Sequence, residues 1–286
     1  MYDVIIIGAG PAGISASLYT KRANLKTLVL YYGESQLEHV PKIENYYGFV
    51  DGISGKELYN SGIEQAKKIG VEIINEQVTE IKSTDDLIFE VKTPNNEYVS
   101  KTIIIATGNK KIEPNIKGIK ELEGKGVSYC AICDGFFFRD KNVAVIGNGE
   151  FAISEANNLK NVVKEITILT NGENPKFLNN EYNINTKKIK EICGIETVNK
   201  VIFEDNTSLD ISGIFVALGN AGGYDFAKML GIALDGENIK INENMETNIK
   251  GIFACGNLTG GLLQVNKAVY EGAKAGLSVV QELKSN

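Results

Sequence analysis

The chain opens with a strand that runs straight into Gly8-Ala9-Gly10-Pro11-Ala12-Gly13, and this junction constrains the fold more than any other stretch. Asp3 to Ile7 reads as that strand, its β-branched apolar run the pattern of a parallel strand buried on both faces. From Ile14 to Arg22 the spacing is helical. A strand, G-x-G-x-x-G and a helix, in that order, make a tight turn that lets a pyrophosphate approach the backbone. The phosphates then rest on amides at the positive end of the helix. Gly8, Gly10, Pro11, Ala12 and Gly13 are therefore candidate dinucleotide contacts.

The second strand, Thr27 to Leu30, ends at Tyr31-Tyr32, where an acidic residue commonly receives a ribose hydroxyl. None stands there, so the contact is expected from backbone or from another side chain, with Tyr31 in place. A loop with Gln36-Leu37 and Glu44-Asn45 follows, then a helix over 56–69 and a strand over 71–74. Alternation between 77 and 105 predicts an antiparallel meander, with strands near 78–82, 87–92 and 97–99, closing on Lys101 to Ile105 and Ala106-Thr107-Gly108. Residues 109–126 are polar and lysine-rich and hold Pro114 and Gly118, the composition of a crossing linker. A second strand–glycine–helix passage then begins: Asn142 to Ile146, Gly147-Asn148-Gly149-Glu150-Phe151-Ala152, a helix to Leu159 and a strand over 165–169. The architecture is thus repeated within one chain. Near residue 238 the chain is expected to return to the first half. There Gly251 to Asn257 reads as a buried strand ending in a turn, and Asn266 to Leu283 as a closing helix. The predicted class is α/β, two Rossmann-like three-layer domains. The first is discontinuous, 1–108 and 238–286, and the second spans 109–237.

Ahead of the second glycine passage stands Ser128-Tyr129-Cys130-Ala131-Ile132-Cys133-Asp134-Gly135. Two cysteines two residues apart can close a disulfide and reopen it by thiol exchange, and the adjoining Asp134 can move a proton. Half a zinc site is the bland reading, but there is no second Cys-x-x-Cys and only one histidine, His39. His39 itself sits in a loop near Pro41, and a solvated or capping role fits it best. Cys193 and Cys255 lie in apolar surroundings and are expected to be buried. A net charge of -6 without a basic stripe speaks against nucleic acid. No apolar run approaches the roughly 20 residues of a membrane span, so no membrane partner is expected. With no charged leader before the first strand, the chain is read as cytoplasmic, where such a cysteine pair is redox-active rather than structural.

By order and spacing of these motifs the chain resembles the low-molecular-weight thioredoxin reductase family of flavoproteins. The likeness rests on the first glycine turn, Gln36-Leu37 before Glu44-Asn45, Ala106-Thr107-Gly108, Cys130 to Gly135, and Gly251 to Asn257. It implies FAD on the discontinuous domain and, on the other, the cysteines and an NADPH-type site. It also implies that Cys133 faces the flavin, that Cys130 exchanges with thioredoxin, and that Asp134 is the acid/base group. The FAD contacts it implies are the first glycine turn, Tyr31, Gln36, Asn45, Ala106, Thr107, Gly108, Gly256, Asn257, Gln264 and Val265, the last two over the isoalloxazine. A homodimer is implied as well.

The departures are informative. Members that use NADPH carry a His-Arg-Arg run after the second strand of that half, because a 2′-phosphate wants bidentate cations. Here the place reads Leu169-Thr170-Asn171-Gly172-Glu173-Asn174-Pro175, and the chain's only arginines are Arg22 and Arg139. No acid at Thr170 serves NADH, the second glycine motif ends in Ala152, and Glu150 brings an anion to the phosphate end. The sequence is in this respect similar to the ferredoxin-dependent flavin thioredoxin reductases of clostridia, which implies a ferredoxin as electron donor. Flavin takes electrons singly and delivers them in pairs. Asn257 stands where the family usually has Asp, and its amide oxygen still accepts a hydrogen bond. Three other readings stay open at this point: an NADPH enzyme with an atypical phosphate site, a dithiol oxidase of the same fold, and a non-enzymatic redox sensor.

Overall fold

The computed structural model describes residues 1–84, 88–108, 114–177, 181–219 and 222–285, and for Cys133 the backbone alone. Two compact units are present: Met1–Lys110 with Gly222–Asn286, and Lys111–Ala221.

In the first unit β1 (Tyr2–Ile7) lies between β2 (Thr27–Tyr31) and β6 (Glu97–Ile105), all parallel. Ile7 registers with Leu30 and Ile105, so the three strands end at one edge. Val4, Ile5, Ile6, Leu28, Leu30 and Ile103 are fully buried, which explains why these runs show no alternation. β3 (Glu72–Asn75) extends the sheet beyond β2, while antiparallel β5 (Phe89–Lys92) and β4 (Glu80–Ser83) extend it beyond β6. The strands expected at 97–99 and 101–105 are one. β6 pairs β5 over Glu97 to Ser100 and β1 from Ser100 onward, so a single strand changes partner without breaking. Residue 87, where one meander strand was expected to start, lies outside the described residues.

Helix α1 (Pro11–Arg22) begins with proline, whose missing N–H costs nothing at a helix start. Helix α2 (Gly55–Lys68) begins with a reciprocal cap: Glu57 N donates to Ser54 Oγ at 3.1 Å, and Ser54 N donates to Glu57 Oε2 at 3.2 Å.

The second unit holds a parallel sheet in the order β10 (Asn183–Asn185), β9 (Glu165–Leu169), β8 (Asn142–Ile146), β14 (Gly213–Val216), β7 (Val127–Ser128). Helical turn α3 (Ala131–Asp134) follows β7, and α4 (Glu150–Leu159) connects β8 to β9. A separate antiparallel sheet is made of β11 (Ile189–Gly194), β12 (Val198–Phe203) and β13 (Ser208–Asp210). The stretch expected to be a polar linker is packed structure from Pro114 on. Ile116, Ile119 and Leu122 are buried between its lysines, and Ile192 N donates to Lys117 O at 2.9 Å. Charge density masked that apolar spacing. Residues 109–113 lie outside the described residues, Lys110 and Lys111 among them.

The chain re-enters the first unit at Gly222, ahead of the expected residue 238, because α5 (Gly223–Leu230) packs against β4 and the short hairpin β15 (Leu234–Asp235) and β16 (Asn238–Ile239). Strand β17 (Ile252–Ala254) then pairs with β6, and α6 (Val265–Ser285) closes the unit along α1. That helix pair is close enough that a Cβ on Gly272 would lie 2.0 Å from Ala12 O. Among the described residues no helix is long and apolar enough to cross a membrane.

Candidate cofactor site and redox centre

The C-terminal edge of β1, β6 and β17 gathers most of the first unit's candidate residues. Gly8 has φ +113°, and a Cβ there would lie 2.3 Å from Ala106 O; a Cβ on Gly13 would lie 1.8 Å from Gly8 O. Gly10 is different, since its Cβ would meet nothing within 4 Å. The turn is thus crowded on the protein side and open toward the helix start, as a backbone that receives phosphates must be. Gly8 N donates to Leu30 O at 2.8 Å, which places Tyr31 at the same edge. Gly256 and Ala12 are neighbours too: a Cβ on Gly256 would lie 3.0 Å from Ala12 Cβ. Asn257 begins a short 3-10 turn, and Thr107 and Gly108 follow β6. Thr107 Oγ1 is buried and has no hydrogen-bond partner among the described residues. A buried hydroxyl left unpaired beside an open glycine turn fits a polar ligand there.

A second cluster joins residues distant in sequence. Asn45 Nδ2 donates to Gln264 Oε1 at 3.0 Å, and Asn266 Nδ2 donates to Asn45 O at 3.2 Å, just before and within the start of α6 where Val265 sits. Gln36 is exposed in a 3-10 turn (Gln36–His39) whose Leu37 is buried, and among the described residues it has no hydrogen bond to the other candidates. His39 is exposed, with Glu34 Oε2 3.5 Å away.

The sequence reading missed what holds the Gly256 turn. Glu271, 8% exposed, accepts from Gly256 N at 2.8 Å and pairs with Lys267 at 3.1 Å. Lys267 Nζ in turn donates to Gly256 O at 2.8 Å. The i,i+4 spacing of Lys267 and Glu271 was the available signal. Cys255 is fully buried, and burial, with the Glu271 carboxylate, pushes its thiol up. Cys193, expected to be buried, is half-buried at an irregularity of β11, where a register shift turns the strand out of alternation.

In the second unit Cys130 is disulfide-bonded and 3% exposed, while Cys193 is a free thiol, as is Cys255 in the first unit. Ser128 organises the turn: it accepts from Cys130 N at 3.0 Å and donates to Asp134 Oδ2 at 2.7 Å. The structure therefore brings Cys130 and Asp134 together through one hydroxyl. Glu155, on α4, accepts from Ala131 N at 2.7 Å.

At the second glycine turn a Cβ on Gly149 would have Gly219 O at 3.9 Å as its nearest neighbour, and the loop after β9 reaches the turn through an acid. After β9, Thr170 is buried and its Oγ1 donates to Glu173 O at 2.5 Å, while Asn171 Oδ1 accepts from Ile189 N at 2.9 Å. The loop so held brings Glu173 back to the turn, where Asn148 Nδ2 donates to Glu173 Oε2, and Lys176 N donates to Asn148 O at 2.7 Å. Glu150 adds a second acid in the first turn of α4.

Residues 2–272 match the family model described as pyridine nucleotide-disulphide oxidoreductase. The chain belongs to that family. It is a flavin disulfide oxidoreductase of the thioredoxin reductase type, with FAD as cofactor and the two-domain FAD/NAD(P)-binding Rossmann-like fold. The thioredoxin reductase of Aquifex aeolicus strain VF5 is 36% identical, the match covering 98% of this chain and 92% of that protein. Among solved structures, the atypical thioredoxin reductase TRi from Desulfovibrio vulgaris Hildenborough is 35% identical with a TM-score of 0.95, covering 100% of this chain and 99% of that one. A ferredoxin-flavin thioredoxin reductase from Clostridium acetobutylicum is 32% identical with a TM-score of 0.73 over the same shares.

Proposed function

We propose that this chain reduces thioredoxin through a Cys130–Cys133 disulfide, with electrons from a ferredoxin rather than from NADPH. The observation that carries the choice of donor is the Glu173 carboxylate bonded to Asn148 on the second glycine turn. A pyrophosphate brought to that turn would meet Glu173 and Glu150, two anions where a nucleotide site supplies amides and cations. A 2′-phosphate would find no arginine in the loop that follows β9. The likeness to the ferredoxin-flavin thioredoxin reductase of Clostridium acetobutylicum supports the donor.

In this reading FAD is held by Gly8, Gly10, Pro11, Ala12, Gly13, Tyr31, Gln36, Asn45, Ala106, Thr107, Gly108, Gly256, Asn257, Gln264 and Val265. Bound FAD supplies the conversion of two single electrons into one pair. Two electrons and two protons reduce the protein disulfide to a dithiol, with Cys133 the sulfur that receives the pair. The Cys130 thiolate attacks one sulfur of the thioredoxin disulfide, forming a mixed disulfide and expelling the other thioredoxin sulfur as a thiolate. Cys133 then attacks Cys130, re-forming the protein disulfide and releasing reduced thioredoxin. Asp134, oriented by Ser128, gives and takes the proton. The enzyme acts in the cytoplasm as a homodimer, a state that sedimentation checks directly; fully exposed Tyr47 and Val50 in the first unit are in keeping with it.

Steady-state thioredoxin reduction with chemically reduced ferredoxin as donor tests the reading. Turnover is expected with ferredoxin and lost in both Cys130→Ser and Cys133→Ser. Turnover with NADPH alone would replace the donor, and peroxide formation from small dithiols without thioredoxin turnover would replace the activity with a dithiol oxidase.

A further inference from the structure

Glu155 is a buried acid that the exchange steps leave without a task. It lies on the buried face of α4 with Phe151, Ala152, Ala156 and Leu159, and is 1% exposed. Its Oε2 accepts from Ala131 N at 2.7 Å. That amide directly follows Cys130 and opens the turn α3. Amides in such a position stabilise a thiolate on the first cysteine of a Cys-x-x-Cys pair. Here the carboxyl group takes that N–H for itself, one residue along the chain from Cys130, where a charge on it would be weakly screened.

We propose that Glu155 is a positioning residue that makes the Cys130 dithiol a stronger reductant, by holding the Ala131 amide and opposing negative charge on the Cys130 sulfur. This rests on the reading of Cys130 as the exchanging cysteine. A pair whose reduced form is stabilised by its surroundings is oxidising, and one whose thiolate is opposed is reducing. A protein that must pass electrons onward to a partner disulfide needs the second kind. Ser128 fixes the other side of the same turn through Cys130 N, so the geometry does not depend on Glu155 alone.

The test equilibrates the FAD-loaded full chain, anaerobically and at mildly alkaline pH, with mixtures of reduced and oxidised dithiothreitol. Each exchange closes one dithiothreitol to its cyclic disulfide and opens the protein disulfide to two thiols, two electrons and two protons passing between them. Alkylation and mass measurement of the Cys130 peptide then give the reduced fraction. Glu155→Gln keeps an oxygen that accepts from Ala131 and removes only the charge. It is expected to shift the equilibrium about tenfold toward dithiol, about 30 mV for this two-electron couple. Glu155→Asp keeps the charge and is expected to stay within about threefold of wild type, so the proposal stays testable even where Glu155→Gln folds poorly. A Glu155→Gln equilibrium within about twofold of wild type, or a Glu155→Asp shift of tenfold, overturns it. Failure of the underlying reading looks different: Cys130 would not interconvert in the wild-type protein, or Cys130→Ser would still reduce thioredoxin.

Discussion

The two strand–glycine–helix turns share one sequence grammar and differ in what fills them. Around Gly8 the backbone is crowded behind the turn and open in front of it at Gly10, with Thr107 Oγ1 left unpaired nearby. The second turn is nearly as open at Gly149, but the exposed Glu173 carboxylate is tied to Asn148 within it, on a loop held by Thr170 and Asn171. A glycine pattern therefore states that a phosphate could approach; the loop after the next strand sets which charges it would meet there.

The largest effect that tests this contrast is expected from Gly13→Val, whose Cβ would lie 1.8 Å from Gly8 O. The purified protein should be colourless, without visible flavin absorbance, and a yellow Gly13→Val protein would remove the first turn from the FAD site. Next comes Glu271→Gln, which strands the largely buried Lys267 ammonium under the Gly256 turn. A loss of about 3 kcal/mol in urea unfolding is expected. A pair of matched substitutions then compares the turns directly. Gly10→Ala should weaken FAD retention about tenfold, about 1.4 kcal/mol, while keeping the fold, because the added methyl enters space the protein leaves open. Gly149→Ala, with its nearest atom Gly219 O at 3.9 Å, should leave FAD retention unchanged. Equal losses from both would break the comparison. Glu173→Ala should cost about 1 kcal/mol through the lost Asn148 bond, measured by thermal unfolding. The smallest effect separates the free thiols. Burial holds the Cys255 thiol up, so iodoacetamide should label half-buried Cys193 and spare Cys255 in the native protein.

Much of the fold was legible because unbroken apolar runs such as Val4 to Ile7 and Ile103 to Ile105 carry their own signal for a buried parallel strand. Gly8 and Gly13 declared the turn for the same reason: no other residue fits there. Segment 114–126 was misread because lysines at 117, 120 and 125 outweighed the buried Ile116, Ile119 and Leu122 between them. The return at Gly222 was missed because α5 is short and follows a glycine-rich passage that reads as loop. For the site, Asn45 and Gln264 could be named separately, but their contact spans more than two hundred residues and no local pattern predicts it. Glu155 left one trace in the sequence, an acid on the otherwise apolar face of α4. Glu173 left only the Asn171-Gly172 turn that aims its loop, since a carboxylate in a loop reads as solvated until a partner is seen.

The most direct test is anaerobic rapid mixing of the oxidised enzyme with NADPH or with reduced ferredoxin while flavin absorbance is followed. The account predicts that NADPH leaves the flavin oxidised and that ferredoxin bleaches it within the time of turnover. Rapid bleaching by NADPH would contradict it, and would mean that the Glu173 loop opens to admit a nucleotide.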